Sequence, residues 1–142
     1  MYKKKDLSTK LRTSGLRPTK QRVKLAEYLF NRDKTFHFTV ENLDRAINKK
    51  NSEDRIALAT IYNTVHAFKK AGHLKEIVIK EGKNYFDTNT SSHHHFYDEH
   101  NNELTDIDNN KIELKKYPTP PKGKSIKDVN IIINIDNDNQ NH

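Results

Sequence analysis

The sequence predicts an α+β protein: an N-terminal winged helix-turn-helix followed by a small β-α-β dimerisation domain. Three observations carry this. Apolar residues recur at helical spacing up to Gly72. Two short β-rich runs then flank Glu81-Gly82-Lys83. Beyond them the charge reverses sign: residues 1–85 hold 20 Lys and Arg against 9 Asp and Glu, and residues 86–142 hold 6 against 10. The whole carries a net charge of +7. The expected division is 1–87 for the winged helix, 88–136 for dimerisation and ligand sensing, and 137–142 for a disordered tail.

Each element has a local reason. KDLSTKLRTSG reads as a short helix, with Asp6 as cap, Leu7 and Leu11 four apart and Gly15 at its end. Pro18 opens the next helix, where its missing N–H costs nothing; Val23, Ala26, Leu29 and Phe30 form its stripe. Thr39 is the expected N-cap of a third helix, with Leu43, Ala46 and Ile47 on its apolar side. In IALATIYNTVHAFKKAG the buried stripe is Leu58, Ile61, Val65 and Phe68. Lys69 and Lys70 suit the last turn, and Gly72 suits the position after the cap. The hairpin through Ile77, Ile79, Tyr85 and Phe86 makes the wing. Further on, NELTDI and VNIIINI read as strands and DNNKIELKKY as a short helix between them. Three prolines in YPTPPKGK exclude regular structure there.

Composition narrows the chemistry. Apolar residues make up 32%, too few for one large core. There is no cysteine, which removes disulfides, thiolate catalysis and cysteine zinc sites together. No apolar run approaches a membrane span, and MYKKKDLSTK has no apolar signal core, so a cytoplasmic protein is expected.

The basic half points to a polyanion. On the fourth helix Thr60, Asn63 and Thr64 lie opposite the expected stripe, with Tyr62 and His66 at its margins. Asn pairs with adenine, and Thr or Tyr meets thymine methyls or phosphates. Arg17, Lys20 and Arg22 cluster at an earlier helix start, a common place for phosphate contacts. Double-stranded DNA is the expected partner. A sheet edge left open in the small second domain would pair with a second copy, giving a homodimer.

SSHHHFYDEH, residues 91–100, holds four of the eight histidines. In an extended strand His93 and His95 share one face and His94 takes the other. Two such imidazoles with carboxylates suit Zn(II), Fe(II) or Mn(II).

LRTSGLRPTKQR, FHFTVENL and LATIYNTVHAFKKAGHL, in this order and spacing, resemble the signature segments of the ferric uptake regulator (Fur) family. YFDTNTSSHHHFYDE is most similar to its iron response regulator (Irr) branch, which carries three histidines at this place. The resemblance implies an iron- or haem-responsive dimeric transcription regulator that binds AT-rich inverted-repeat operators. It assigns base contacts to Thr60, Tyr62 and Asn63 and backbone contacts to Arg17 and Thr19. It implies an interdomain metal site of His37, Asp87, His95 and Asp106. Haem, if bound, would take an axial nitrogen from His93, His94 or His95. The alternative within the family is a divalent-metal corepressor system using Fe, Mn or Zn, without haem.

The sequence also departs from the family. Ala57 stands where many members have a capping serine. Asp87 and Asp106 stand where many have glutamate, one methylene longer. Asp98 and Asn101 occupy the first CxxC of the cysteine zinc site, so that site cannot form. His94 and Glu113 are remnants of a second site that would want a histidine at Ser92. No Cys-Pro haem motif is present. Two readings from other classes are a metal-dependent hydrolase and a metal or haem carrier; neither explains the basic half.

Overall fold

The computed structural model describes residues 3–49, 53–80 and 82–138. It divides into two compact units, Met1–Thr90 and Ser91–His142. Glu81 of the anticipated turn and residues 139–142 of the anticipated tail lie outside the described residues.

The first unit contains four helices, α1 (Lys4–Thr13), α2 (Lys20–Phe30), α3 (Val40–Ile47) and α4 (Leu58–Lys70), and three strands, β1 (His37–Phe38), β2 (Lys75–Lys80) and β3 (Lys83–Asp87). The strands form one sheet in the order β1-β3-β2. The β2-β3 hairpin is the anticipated wing, and β1 adds a short third strand to it.

The helix ends follow side-chain chemistry. Thr39 caps α3 with a full capping box: its hydroxyl accepts from Asn42 N–H while the Asn42 side chain accepts from Thr39 N–H. Thr19, one residue after Pro18, caps α2 by accepting from Arg22 N–H at 3.2 Å. Asp6 does not cap α1; Lys3 holds that position without a side-chain bond, and Asp6 lies in the first turn instead. Ala57 at the N-cap of α4 supplies no side-chain bond either. At the far end of α4, Gly72 adopts a φ of 88°. That left-handed turn lets His73 N–H reach Phe68 C=O at 2.9 Å and Gly72 N–H reach Lys69 C=O at 3.0 Å.

Leu7, Leu11, Leu25, Leu29, Phe38, Leu43, Ile61, Val65, Phe68 and Phe86 share one apolar core. Two residues of α4 differ from the sequence reading. Leu58 is 46% exposed, and Thr64 is buried at 2%. Ile61, Thr64, Val65 and Phe68 recur at three- and four-residue steps, so Thr64 falls inside the stripe and Leu58 outside its angular range. Ile56, just before the helix, fills the core position assigned to Leu58. Asn48 fixes that loop by bonding both the N–H and the C=O of Ile56.

The second unit contains β4 (His94–Asp98), β5 (Glu103–Ile107) and β6 (Ile132–Ile135), in the order β5-β4-β6. β5 runs antiparallel to β4 and β6 runs parallel to it. The expected helix over DNNKIELKKY is a single 3-10 turn, Asn109–Lys111. Ile112 takes extended backbone directly after it, and no buried residue lies in the turn to anchor a longer helix. Residues 112–131 therefore connect β5 to β6 without regular structure.

Candidate metal centre and DNA-reading face

Each unit builds a histidine–aspartate pair from a strand register. In the first unit β1 and β3 place His37 directly opposite Asp87. Their neighbours Phe38 and Phe86 are also opposite and stack at 5.7 Å in the core. Alternation therefore sends His37 and Asp87 to the other face of the sheet. His37 Nε2 lies 3.1 Å from Asp87 Oδ2. Asp87 is fully buried, and its Oδ1 accepts from Asn89 N–H at 2.8 Å. A buried carboxylate needs such partners, because an unpaired one would cost several kcal/mol.

In the second unit β4 and β5 place His95 opposite Asp106. His93 and His95 are buried, and their rings lie 4.4 Å apart. Both direct Nε2 at one atom, Asp106 Oδ1, at 3.2 and 3.3 Å. His93 Nδ1 lies 2.7 Å from the carbonyl of Ser91. A carbonyl only accepts, so His93 Nδ1 carries the proton. In the neutral ring Nε2 then offers a lone pair toward an anionic oxygen. Two lone pairs face to face repel, so this geometry calls for a cation between them, either a proton or a metal ion.

His94 faces the other way, as strand alternation requires. Its Nδ1 accepts from Ile131 N–H at 3.1 Å. With Glu113, Tyr117 and Asp128 it lines a cleft of about 430 Å³. The three adjacent histidines thus divide two against one. His93, which the metal set implied by the resemblance left out, shares Asp106 with His95. The alternation of the strand was the signal for that pairing.

The basic residues assigned to DNA all lie in the first unit. Arg17 and Lys20 are exposed at the start of α2. Arg22 donates to Arg17 C=O at 3.2 Å, which orders the Arg17–Arg22 turn around the Thr19 cap. On α4, Asn63 is exposed, Thr60 half-buried, and Tyr62 is 38% exposed. Tyr62 stacks on His66 one turn along, with ring centroids 6.3 Å apart. Its hydroxyl donates to Glu41 on α3 at 2.9 Å. The sequence reading missed Glu41, because a contact between residues 21 apart has no local pattern.

Comparison with known proteins agrees with this layout. The peroxide-responsive repressor PerR of Staphylococcus epidermidis is 33% identical over 97 residues, covering 68% of this chain and 62% of that protein. The peroxide operon regulator of Bacillus subtilis is 31% identical over 97 residues, covering 68% and 64%. The chain thus spans somewhat less than two thirds of these relatives' length. Among solved structures, the ferric uptake regulator of Pseudomonas aeruginosa with manganese superposes with a TM-score of 0.66 at 21% identity, over 90% of this chain and 95% of that one. The Vibrio cholerae ferric uptake regulator gives 0.66 at 20% identity, over 91% and 98%. The fold is therefore that of these regulators. The profile described as "Ferric uptake regulator family" matches residues 13–134, most of the sequence, and the chain belongs to that family.

Proposed function

We propose that this protein is a metal-responsive transcription regulator that binds operator DNA as a dimer and uses a divalent cation as its effector. The carrying observation is the convergence of His93 and His95 Nε2 on Asp106 Oδ1, a set of two imidazoles and a carboxylate that suits a divalent cation. His37 and Asp87 supply a second, matching pair. Asp87 and His93 are six residues apart in sequence, a span of at most roughly 20 Å even fully extended. The family resemblance assigns His37, Asp87, His95 and Asp106 to one ion, and His93, which shares Asp106 with His95, is the proposed fifth ligand. Three imidazoles and two carboxylates suit Fe(II), Mn(II) or Zn(II).

An ion held by both units fixes their mutual orientation. In a dimer that orientation sets the spacing of the two α4 helices against the roughly 34 Å repeat of DNA. The ion's preference for one arrangement becomes DNA affinity, typically about 1–3 kcal/mol. Thr60, Tyr62 and Asn63 read bases of an AT-rich inverted repeat. Arg17, Thr19, Lys20 and Arg22 hold the phosphates. Exposed Ile133 and Ile135 on edge strand β6 suit the contact with a second copy.

The test is fluorescence anisotropy of labelled duplexes with apo, Mn(II)-loaded and haem-loaded protein at fixed salt. Mn(II) is expected to tighten binding to an AT-rich inverted repeat. His95→Ala and Asp106→Ala should each weaken Mn(II) affinity by about 10–100-fold or more. Combining His37→Ala with His95→Ala should abolish the response no more completely than either alone. DNA affinity indifferent to Mn(II) would sink the reading. Affinity governed by haem alone would transfer the site to the Irr-like reading, which the present side-chain pairings support less well, since His94 Nδ1 already takes the Ile131 N–H.

A peroxide response is the second reading. It is favoured by the relatives named as peroxide-responsive and by the close, buried His93 and His95 rings. Iron(II) bound there would supply one-electron peroxide chemistry beside those rings. Loss of DNA binding by the Fe(II) form on peroxide treatment, with one added oxygen in the peptide carrying His93–His95, would support it. An unchanged Fe(II) form would remove it.

A further inference from the structure

Resting on the DNA-reading role just given to Tyr62, we propose that Glu41 is a positioning residue that turns Tyr62 from a phosphate contact into a base reader. Glu41 lies in the first turn of α3, beside the capping box that fixes that helix end. Its Oε1 accepts the Tyr62 hydroxyl proton at 2.9 Å. The Tyr62 ring stacks nearly parallel on His66, with an interplanar angle of 14°. His66 in turn meets Phe86 edge-on at 5.8 Å. Glu41, Tyr62, His66, Glu76 and Phe86 line one cleft of about 180 Å³. Both ends of the exposed phenol are thus held before DNA arrives.

The consequence follows from the hydroxyl's inventory. A phenol has one proton to donate and lone pairs that accept. With the proton committed to Glu41, Tyr62 presents only its acceptor lone pairs and its ring edge. Phosphate oxygens are pure acceptors and gain nothing from such a group. In the major groove it meets the amino donors of adenine and cytosine, or packs its ring edge on the thymine methyl; guanine O6 and N7 repel it. The Glu41 carboxylate adds repulsion toward phosphate. The same carboxylate raises the Tyr62 pKa, which keeps the phenol protonated for this bond.

The experiment is selection of bound duplexes from a random-sequence pool by Mn(II)-loaded wild-type protein, followed by affinities for the selected site and its single-base variants. Glu41→Ala is expected to reduce discrimination at one or two base pairs per half-site by about tenfold, on the scale of one base contact. Binding to random duplex should be unchanged or tighter. Glu41→Gln also removes the charge but keeps the acceptor, so it should retain the wild-type preference. Tyr62→Phe should relax the same base pairs as Glu41→Ala, and the double variant should go no further. Equal discrimination by wild type and Glu41→Ala would overturn the proposal and leave Tyr62's base-reading role standing. Uniform loss on every duplex by a folded Glu41→Ala, rescued by nothing, would reduce Glu41 to a structural residue. A wild-type protein that selects no sequence would remove the base-reading role itself, and the proposal with it.

Discussion

The two units solve the problem of an interior differently. In residues 1–90 the interior is apolar: Leu25, Leu29, Ile61, Val65 and Phe68 have no measurable exposure. In residues 91–142 the buried apolar side chains, among the described residues, are Tyr97 and Ile107, and the other buried groups are His93, His94 and His95. The same unit leaves Leu114, Tyr117, Ile126, Ile133 and Ile135 exposed. One unit therefore holds itself together by hydrophobic burial. The other has imidazoles where a core would be and apolar surface where solvent should be. A segment of that size cannot remove enough surface from water to offset its chain entropy. In the proposed function, an ion at its histidines and a second chain on its apolar surface supply the stability that burial within the unit does not.

The largest test of this contrast is to separate the halves. A fragment of residues 1–90 should fold as a monomer with cooperative thermal unfolding. A fragment of residues 91–142 should show dispersed amide resonances only when dimeric or metal-loaded. A well-folded, metal-free monomer of the second fragment would break the comparison.

Core truncation sharpens it. Leu29→Ala should cost about 2–5 kcal/mol in urea unfolding, because it opens a cavity in a packed apolar core. Ile133→Ala, at a site 38% exposed, should cost far less in the monomer. Its effect should appear instead as a higher dimer dissociation constant in analytical ultracentrifugation. Equal costs at the two positions would mean that the second unit has a core of its own.

Caps give a smaller effect. Thr39→Ala removes the acceptor for Asn42 N–H and should cost about 1 kcal/mol. The loss belongs to the first unit alone, so Mn(II) affinity measured on folded protein should move little.

Acid gives the smallest effect and separates the units by pH. Burial, with a lesser contribution from Lys10, lowers the His73 pKa below its ordinary 6.5. Its ring bonds Ser14 at 2.7 Å and packs edge-on against Phe68. The folded state therefore prefers the neutral ring. The stability this provides is full above pH 6.5 and declines as pH falls below it toward the folded value. In the second unit, hydrogen bonds from Asn101 lower the Asp98 pKa, and the Asn137 N–H lowers that of Asp136. Their contributions are present above the ordinary carboxylate value of 3.8 and fade only as pH falls through their folded values. Metal-free His73→Asn protein should lose less melting temperature than wild type between pH 7.5 and 5.5, both about one unit either side of the histidine midpoint. Identical slopes would sink the assignment.

Much of the first unit was legible from residue order. Pro18-Thr19, Thr39 and Gly72 mark helix ends through forces acting within a turn of the chain, and the apolar repeat marks what is buried. The reading failed where neighbours in space outvote the repeat. Leu58 yielded its place to Ile56, which Asn48 holds, and Thr64 went inward. The helix expected in DNNKIELKKY failed for the opposite reason: without buried residues to anchor it, propensity sustains only one turn.

The sequence by itself determined the donor chemistry and its parity. The absence of cysteine left imidazole and carboxylate, and a two-residue strand period put His93 and His95 together and His94 apart. The resemblance grouped His37, Asp87, His95 and Asp106, but tertiary structure decided which of them pair. The registers that set His37 against Asp87 and His95 against Asp106, and the packing that brings Glu41 to Tyr62, join residues 11 to 50 positions apart. Strand pairing and helix packing act across space, and no spacing rule along a chain encodes distances of that kind.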